Sequence, residues 1–232
     1  SSLVILLATL GVPVGRKVAQ RYRVPFWIRR APRWQQRLFL AALFGAELTR
    51  PRPRLERRGN FYAPALSMNK VDRLLANGVE FLEDIRGMAT AFGVTSADIV
   101  VRRSHLSRRG LSTRYLELVF DPNPQNLLKL WGQIGFVYHR EKAASASVAV
   151  QYLKLKHEAL LARQAAVAQI QTLRRAGNTQ TAVHEVVGSR FISQRYVQSV
   201  CQRERQVPPR IPGTFPTYEE FAQLATIGLE GS

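Results

Sequence analysis

Phe39-Leu40-Ala41-Ala42-Leu43-Phe44-Gly45-Ala46-Glu47 is the stretch that decides the reading of this 232-residue chain. It closes a predicted helix that starts near Pro32, where proline is tolerated, and stops before Pro51-Arg52-Pro53. Residues three and four apart share a helix face, so Ala42 and Ala46, with Ala41 and Gly45, form a smooth stripe. Such a stripe lets a second helix approach almost backbone to backbone. Glu47 falls at the helix C-terminus, where the negative pole of the helix disfavours an anion unless a cation neutralises it. The same residues also read as an ordinary alanine-rich core helix ending in a solvated glutamate.

Working outward, residues 3–10 read as a helix end closed by Gly11, followed by extended Val12-Pro13-Val14-Gly15. Residues 54–67 read as extended with a turn at Gly59-Asn60, and Asn69 is placed to cap a helix from Lys70. Gly78 and Gly87 interrupt that helix and Phe92-Gly93-Val94 ends it. Residues 98–107 and 111–121 read as two strands; in the second, Leu116, Leu118 and Phe120 alternate with Tyr115 and Glu117, the pattern of a half-buried strand. Pro122-Asn123-Pro124 opens a helix through Trp131, residues 136–139 read as a short strand, and a long helix spans 142–175. Helical residues 181–201, a proline-rich segment at 207–212 and a last helix at 218–225 complete the chain. An internal repeat pairs Leu6-Leu7-Ala8-Thr9-Leu10-Gly11 and Lys17 with Leu130-Trp131-Gly132-Gln133-Ile134-Gly135 and Lys142. Each copy reads as helix end, glycine, short strand and lysine.

With 46% hydrophobic and 9% aromatic residues the chain can bury a core, which excludes a disordered tail. Lys and Arg total 34 against 16 Asp and Glu, a net charge of +18. That surplus argues against an enzyme of ordinary metabolites and for a polyanionic partner, because each neutralised phosphate releases counterions. Only six of the basic residues are lysine; arginine's planar fork suits phosphate oxygens and guanine edges. A ribosomal or histone-like binder would carry the same sign. Cys201 is the sole cysteine, which excludes an intrachain disulfide and a cysteine zinc site. The apolar run at 3–10 is too short to cross a bilayer, so a cytoplasmic, non-membrane protein is expected. The chain starts at Ser1 within a helical pattern and is expected to continue a longer one.

Leu40-Ala41-Ala42-Leu43-Phe44-Gly45-Ala46-Glu47 resembles the LAGLIDADG (dodecapeptide) motif of homing endonucleases, and Val24-Pro25-Phe26-Trp27-Ile28 resembles the approach to the second motif in archaeal, intein-borne members. Arg58-Gly59-Asn60-Phe61-Tyr62, residues 123–131, Ile134-Gly135-Phe136 and residues 152–156 agree in order and spacing, and the likeness covers about residues 1–165. It implies an α+β fold of αββαββα repeats whose saddle-shaped antiparallel sheets sit over duplex DNA. It divides the chain into the tail of a preceding repeat (1–30), a second repeat (31–176) and a helical C-terminal extension (177–232). It implies Mg2+-dependent phosphodiester hydrolysis of double-stranded DNA, with Glu47 as metal ligand and Lys142 and Lys17 as auxiliary catalytic residues. Ala41, Ala42, Gly45 and Ala46 would form the helix interface. Gly45 and Leu48 depart from the motif's usual Asp and Gly, and one carboxylate stands where two are expected. The partner would be a missing first repeat in cis or a second copy as a homodimer. An RNA-splicing ligase of the RtcB type is one candidate host. A catalytically decayed, maturase-like or regulatory nucleic-acid binder is the alternative.

DNA contacts are expected from Arg54, Arg57, Arg58, Asn60 and Tyr62 in the extended segment. Arg102, Arg103, Arg108, Arg109 and Arg114 are expected to join them from the hairpin, since strands in a major groove can present Arg to guanine and Asn to adenine. A solvated basic edge that discourages aggregation is the plainer reading. Residues 180–198 resemble a helix-turn-helix with Gly188 at the turn, but the spacing is one residue short, which favours a plain helical hairpin. His105, His139, His157 and His184 lack metal-ligand spacing, and Trp27, Trp34 and Trp131 read as core.

Overall fold

Leu116, Leu118 and Phe120 alternate into the interior, all fully buried, and the sheet they belong to organises the first part of the chain. The structure, a computed structural model, describes residues 2–106, 112–202 and 209–230. In chain order the elements are α1 (Ser2–Thr9), α2 (Phe26–Arg29), α3 (Arg33–Glu47), β1 (Ala65–Val71), α4 (Leu75–Ala91), β2 (Val100–Leu106) and β3 (Ser112–Val119). Then come α5 (Pro124–Leu128), a π-helical turn (Lys129–Ile134), α6 (Arg140–Arg175), α7 (Gln180–Val187), α8 (Gln194–Cys201) and α9 (Tyr218–Glu230). Two compact units form, Ser1–Arg52 with Phe61–Val150, and Pro53–Asn60 with Gln151–Ser232.

In the first unit an antiparallel sheet of order β1-β3-β2 runs in register from Ala65 opposite Val119 to Val71 opposite Thr113. The β2–β3 ladder shifts between Val101 and Ser104. Helix α3 buries Leu40, Ala41, Phe44 and Gly45, residues at i,i+4 spacing, and Phe44 meets Phe120 edge-on at 5.7 Å. Burying a side chain the size of Phe44 contributes about 2–3 kcal/mol. Helix α4 lies against the sheet at Gly78, where a Cβ would sit 2.8 Å from the Lys70 side chain and 3.3 Å from Leu116. By contrast α1 buries none of its side chains, although its sequence is almost wholly apolar.

Several local expectations give way here. Asn69 caps no helix; it stands within β1 opposite Tyr115, and α4 starts at Leu75 after a 3-10 turn, Asp72–Leu74. The cross-strand ladder outweighs the cap signal. Gly78 and Gly87 do not interrupt α4. Residues 12–15 and 136–139 form no strands; Val137 makes one main-chain bond, to the Ala41 carbonyl at 3.0 Å, and Tyr138 takes a left-handed φ of 62°. Trp27 and Trp34 are exposed, not core, while Trp131 is buried.

The second unit has its own core. Ala166 and Ile170 of α6 pack with Val183 and Val187 of α7, Ile192, and Tyr196, Val197 and Val200 of α8. Tyr152 is a second centre: its hydroxyl donates to the Pro216 carbonyl at 2.8 Å, accepts from the Gly59 amide at 3.2 Å, and its ring meets Phe215, Tyr218 and Phe221. Thr217 and Glu220 form a reciprocal capping box at the start of α9.

The two helical glycines Gly45 and Gly87 separate propensity from packing. A Cβ at Gly45 would lie 2.2 Å from the Val137 carbonyl oxygen, whereas one at Gly87 meets nothing within 4 Å. Gly87→Ala is expected to stabilise by about 0.5–1 kcal/mol. Gly45→Ala gains the same propensity but is expected to lose about 1–2 kcal/mol net to overpacking, measured by urea unfolding.

Candidate functional site

Glu47 ends α3 and is exposed, on the rim of a groove of about 430 Å3 in the first unit that Lys17, Tyr22, Arg23 and Asn69 also line. The cation that the helix end requires is Lys142. Its Nζ donates to the carbonyls of Leu48 at 2.7 Å, Gly45 at 2.9 Å and Ala46 at 3.4 Å. These are orphan carbonyls at the negative pole of α3, and an ammonium there answers both the unmade bonds and the dipole. Burial lowers the Lys142 pKa, and the charge of Glu47 opposes that shift.

Lys17 reaches the same groove by a different device. Its carbonyl, with that of Gln20, accepts from the Nζ of Lys70 at 3.1 and 2.5 Å. Lys70 is fully buried under α4, its ammonium 3.8 Å from the centre of the Tyr22 ring. Burial pushes it down to about 8. Tyr22 in turn has its hydroxyl pKa raised by burial and then by the charge of Glu47. The fold therefore sets Lys142 against the end of α3 and places Glu47 and Lys17 on the lining of one groove. Lys70, which anchors that arrangement, was missed by the sequence reading; its only signal was a lysine on the same strand parity as Leu66 and Met68.

The small-residue stripe divides. Ala41 and Gly45 are buried, and the carbonyl of Ala41 and the missing Cβ of Gly45 both serve the close approach of Val137 within the unit. Ala42 is half-buried and Ala46 exposed. Half of the presumed helix interface is thus accounted for without a second helix. As for magnesium, among the described residues no three His, Cys, Asp or Glu side chains are grouped to hold a metal. Among the described residues, the groove that Glu47 lines holds no second acidic side chain.

The expected DNA contacts are scattered and mostly occupied. Arg54, Arg57, Arg58 and Asn60 fall in the second unit, whereas Tyr62 falls in the first. Arg57 is exposed and Arg54 half-buried. Arg58 donates to the carbonyls of Gly213 and Phe215, and the Asn60 side chain accepts from Lys156 at 2.8 Å. Tyr62 lies under Arg52, 5.0 Å from guanidinium carbon to ring centre. Arg102 pairs with Glu117 and Arg114 with Asp72, both at 2.8 Å. The Arg114–Asp72 pair is open to solvent, whereas the Glu117 carboxylate is largely covered. Arg103 has no described side chain, and Arg108 and Arg109 lie outside the described residues.

Comparison with known proteins adds the following. The chain is 34% identical over 99% of its length to the tRNA-splicing ligase RtcB of Pyrococcus furiosus, and 30% identical over 96% to that of Methanopyrus kandleri. It is 32% identical over 68% of its length to DNA-directed RNA polymerase subunit Rpo1N of Methanocaldococcus jannaschii. It spans about a fifth of each ligase and 11% of the polymerase subunit. No family model and no solved structure matches it.

These relatives correct the expectation drawn from the motif helix. Alignment over nearly the whole chain with proteins named for tRNA-splicing ligation overturns the reading of a LAGLIDADG homing endonuclease, and with it the intein, protein-splicing and DNA-hydrolase assignments. The packing of Gly45 against Val137 supplies a physical reason why small residues there need not signal that family. Among the described residues no helix is long and apolar enough to cross a membrane.

Two lysine substitutions test this geometry. Lys142→Met leaves three carbonyls and Glu47 at an unanswered helix end and is expected to cost about 2–3 kcal/mol in urea unfolding. Lys70, with its folded pKa lowered to about 8 from 10.5, binds fewer protons folded than unfolded between those values. Stability should therefore rise as pH climbs from about 8 to 9.5, below the range of tyrosine titration. In Lys70→Met that part of the rise should vanish.

Proposed function

We propose that this chain is a nucleic-acid-binding segment of a longer protein related to tRNA-splicing ligase RtcB, holding phosphate backbones through arginine and leaving ligation chemistry to the remainder. The observation that carries this reading is the use made of the two basic residue types. Of the six lysines, Lys70, Lys129, Lys142 and Lys156 point their ammonium groups at main-chain carbonyls. Of the 34 positive charges behind the net +18, 28 are arginine, the side chain best matched to phosphate. Some of these also serve the fold, as Arg33, Arg37 and Arg163 do by donating to carbonyls. Others, such as Arg50, Arg57 and Arg195, stand exposed. Arg50 and Arg52 line one notch of the first unit with Tyr62, placing two cations beside an aromatic ring.

The relatives support a binding role over a ligation role. The aligned stretch occurs both in proteins named for tRNA-splicing ligation and in one named as a DNA-directed RNA polymerase subunit, as a minor share of each. What such a stretch has in common cannot be the reaction of only one of them. A duplex is the partner expected from the charge and the arginine excess.

The test is fluorescence anisotropy of a labelled DNA duplex and a labelled RNA hairpin across a salt series. Affinity should fall by roughly a thousandfold or more between about 50 and 200 mM salt. Arg50→Ala and Arg52→Ala should each weaken binding alike for all sequences and lower the salt slope by about one. Binding that is absent at low salt, or indifferent to salt, overturns the reading.

A further inference from the structure

We propose that α8 is a second nucleic-acid contact, in the other unit, which reads duplex DNA from the major groove; this rests on the nucleic-acid-binding reading above and adds to it a partner and a site. One face of α8 is sunk in the core through Tyr196, Val197 and Val200. The opposite face presents Gln194, Arg195 and Gln198, all exposed, and exposed Gln202 follows directly after the helix. Gln194 and Gln198 are four apart and Arg195 and Gln198 three apart, so all three stand on one side. No acidic residue lies on α8. The face is therefore polar and cationic, as a duplex requires.

The helix is held as a fixed reader should be. The Ser193 hydroxyl caps it by accepting from the Tyr196 amide at 3.3 Å. Ser189 and Ile192 form a two-bond bridge at 3.2 and 3.0 Å that closes the turn before it. The Arg163 guanidinium, on a residue only 8% exposed, donates to the Phe191 carbonyl at 2.7 Å and lies 4.1 Å from the centre of the Tyr196 ring. The Tyr196 hydroxyl returns a bond to the Arg163 carbonyl at 3.1 Å. Turn, helix and α6 are thereby locked, so that little backbone freedom is lost on docking.

Dimensions and chemistry select the partner. An α-helix with its side chains is about 10–12 Å across, and the major groove of B-DNA, about 12 Å wide, admits one. Gln pairs in two bonds with the N6 and N7 of adenine, and Arg with the O6 and N7 of guanine. The major groove of A-form RNA is too deep and narrow for side chains to read. Arg190, at the turn, is 68% exposed and only loosely paired with Glu158 at 3.3 Å, in reach of solvent for a flanking phosphate. What recommends α8 is its face and not its turn, since the connection from Gly188 to Ser193 is longer than that of a helix-turn-helix.

The experiment is selection of duplexes from a random-sequence pool by the full chain, followed by anisotropy on the enriched and a scrambled duplex. The wild type should enrich a short motif containing adenine and guanine at neighbouring steps. Gln194→Ala/Gln198→Ala and, separately, Arg195→Ala should lose about ten- to a hundredfold in preference for that motif. Gln194→Ala/Gln198→Ala should keep the salt-dependent binding of scrambled duplex, and both variants should keep the wild-type unfolding midpoint. If the wild type enriches no motif, or the variants keep the preference in full, α8 is not a DNA reader, while the broader reading stands on its salt dependence. If an RNA hairpin shows the same loss in the variants, the commitment to DNA is overturned. If no duplex binds at low salt, both readings fail.

Discussion

An ammonium group against the carbonyl end of a helix is the interaction on which the first unit turns. Without Lys142, α3 would end with three unanswered acceptors and a glutamate at its negative pole. With it, the carbonyls of Gly45, Ala46 and Leu48 are answered, and the charge of Glu47 is felt by the same ammonium. The same chemistry recurs where Lys70 gathers the carbonyls of Lys17 and Gln20, Lys129 reaches Gly93, and Lys156 holds Gly59. Lys70, Lys142 and Lys156 each set a compact, three-donor head against two or three oxygens at once, which a planar guanidinium would meet poorly.

Elements governed by local periodicity were legible in the sequence. Helix α3 lies where its apolar spacing and flanking prolines put it, and the alternation of Leu116, Leu118 and Phe120 is that of the buried strand face. The candidate site was legible in part, since Glu47 and Lys17 line one groove and Lys142 bonds the end of α3. What sets their roles was not, because the bonds of Lys142 to α3 and of Lys156 to Gly59 join residues almost a hundred positions apart. Asn69 misled for a related reason: a cap signal is local, and the ladder that draws it into β1 is not.

The stripe of small residues shows how one pattern admits two causes. Alanine and glycine at i,i+4 spacing announce that some backbone comes close, but not which. Here the approaching chain is Val137, on the side of Ala41 and Gly45, and the helix is a packing surface for its own unit. Arginine was ambiguous in the same way. Arg58, Arg102 and Arg114 looked alike in sequence, yet one is bound to carbonyls and two to carboxylates.

The division of labour between the two basic residues reaches beyond packing. Acylating enzymes erase charge at lysine and leave arginine untouched, and most lysines here are turned toward the main chain. Acetylation would thus strike the scaffold before it dimmed the outward potential. A protein so composed is poorly suited to having its grip on a polyanion adjusted by that modification.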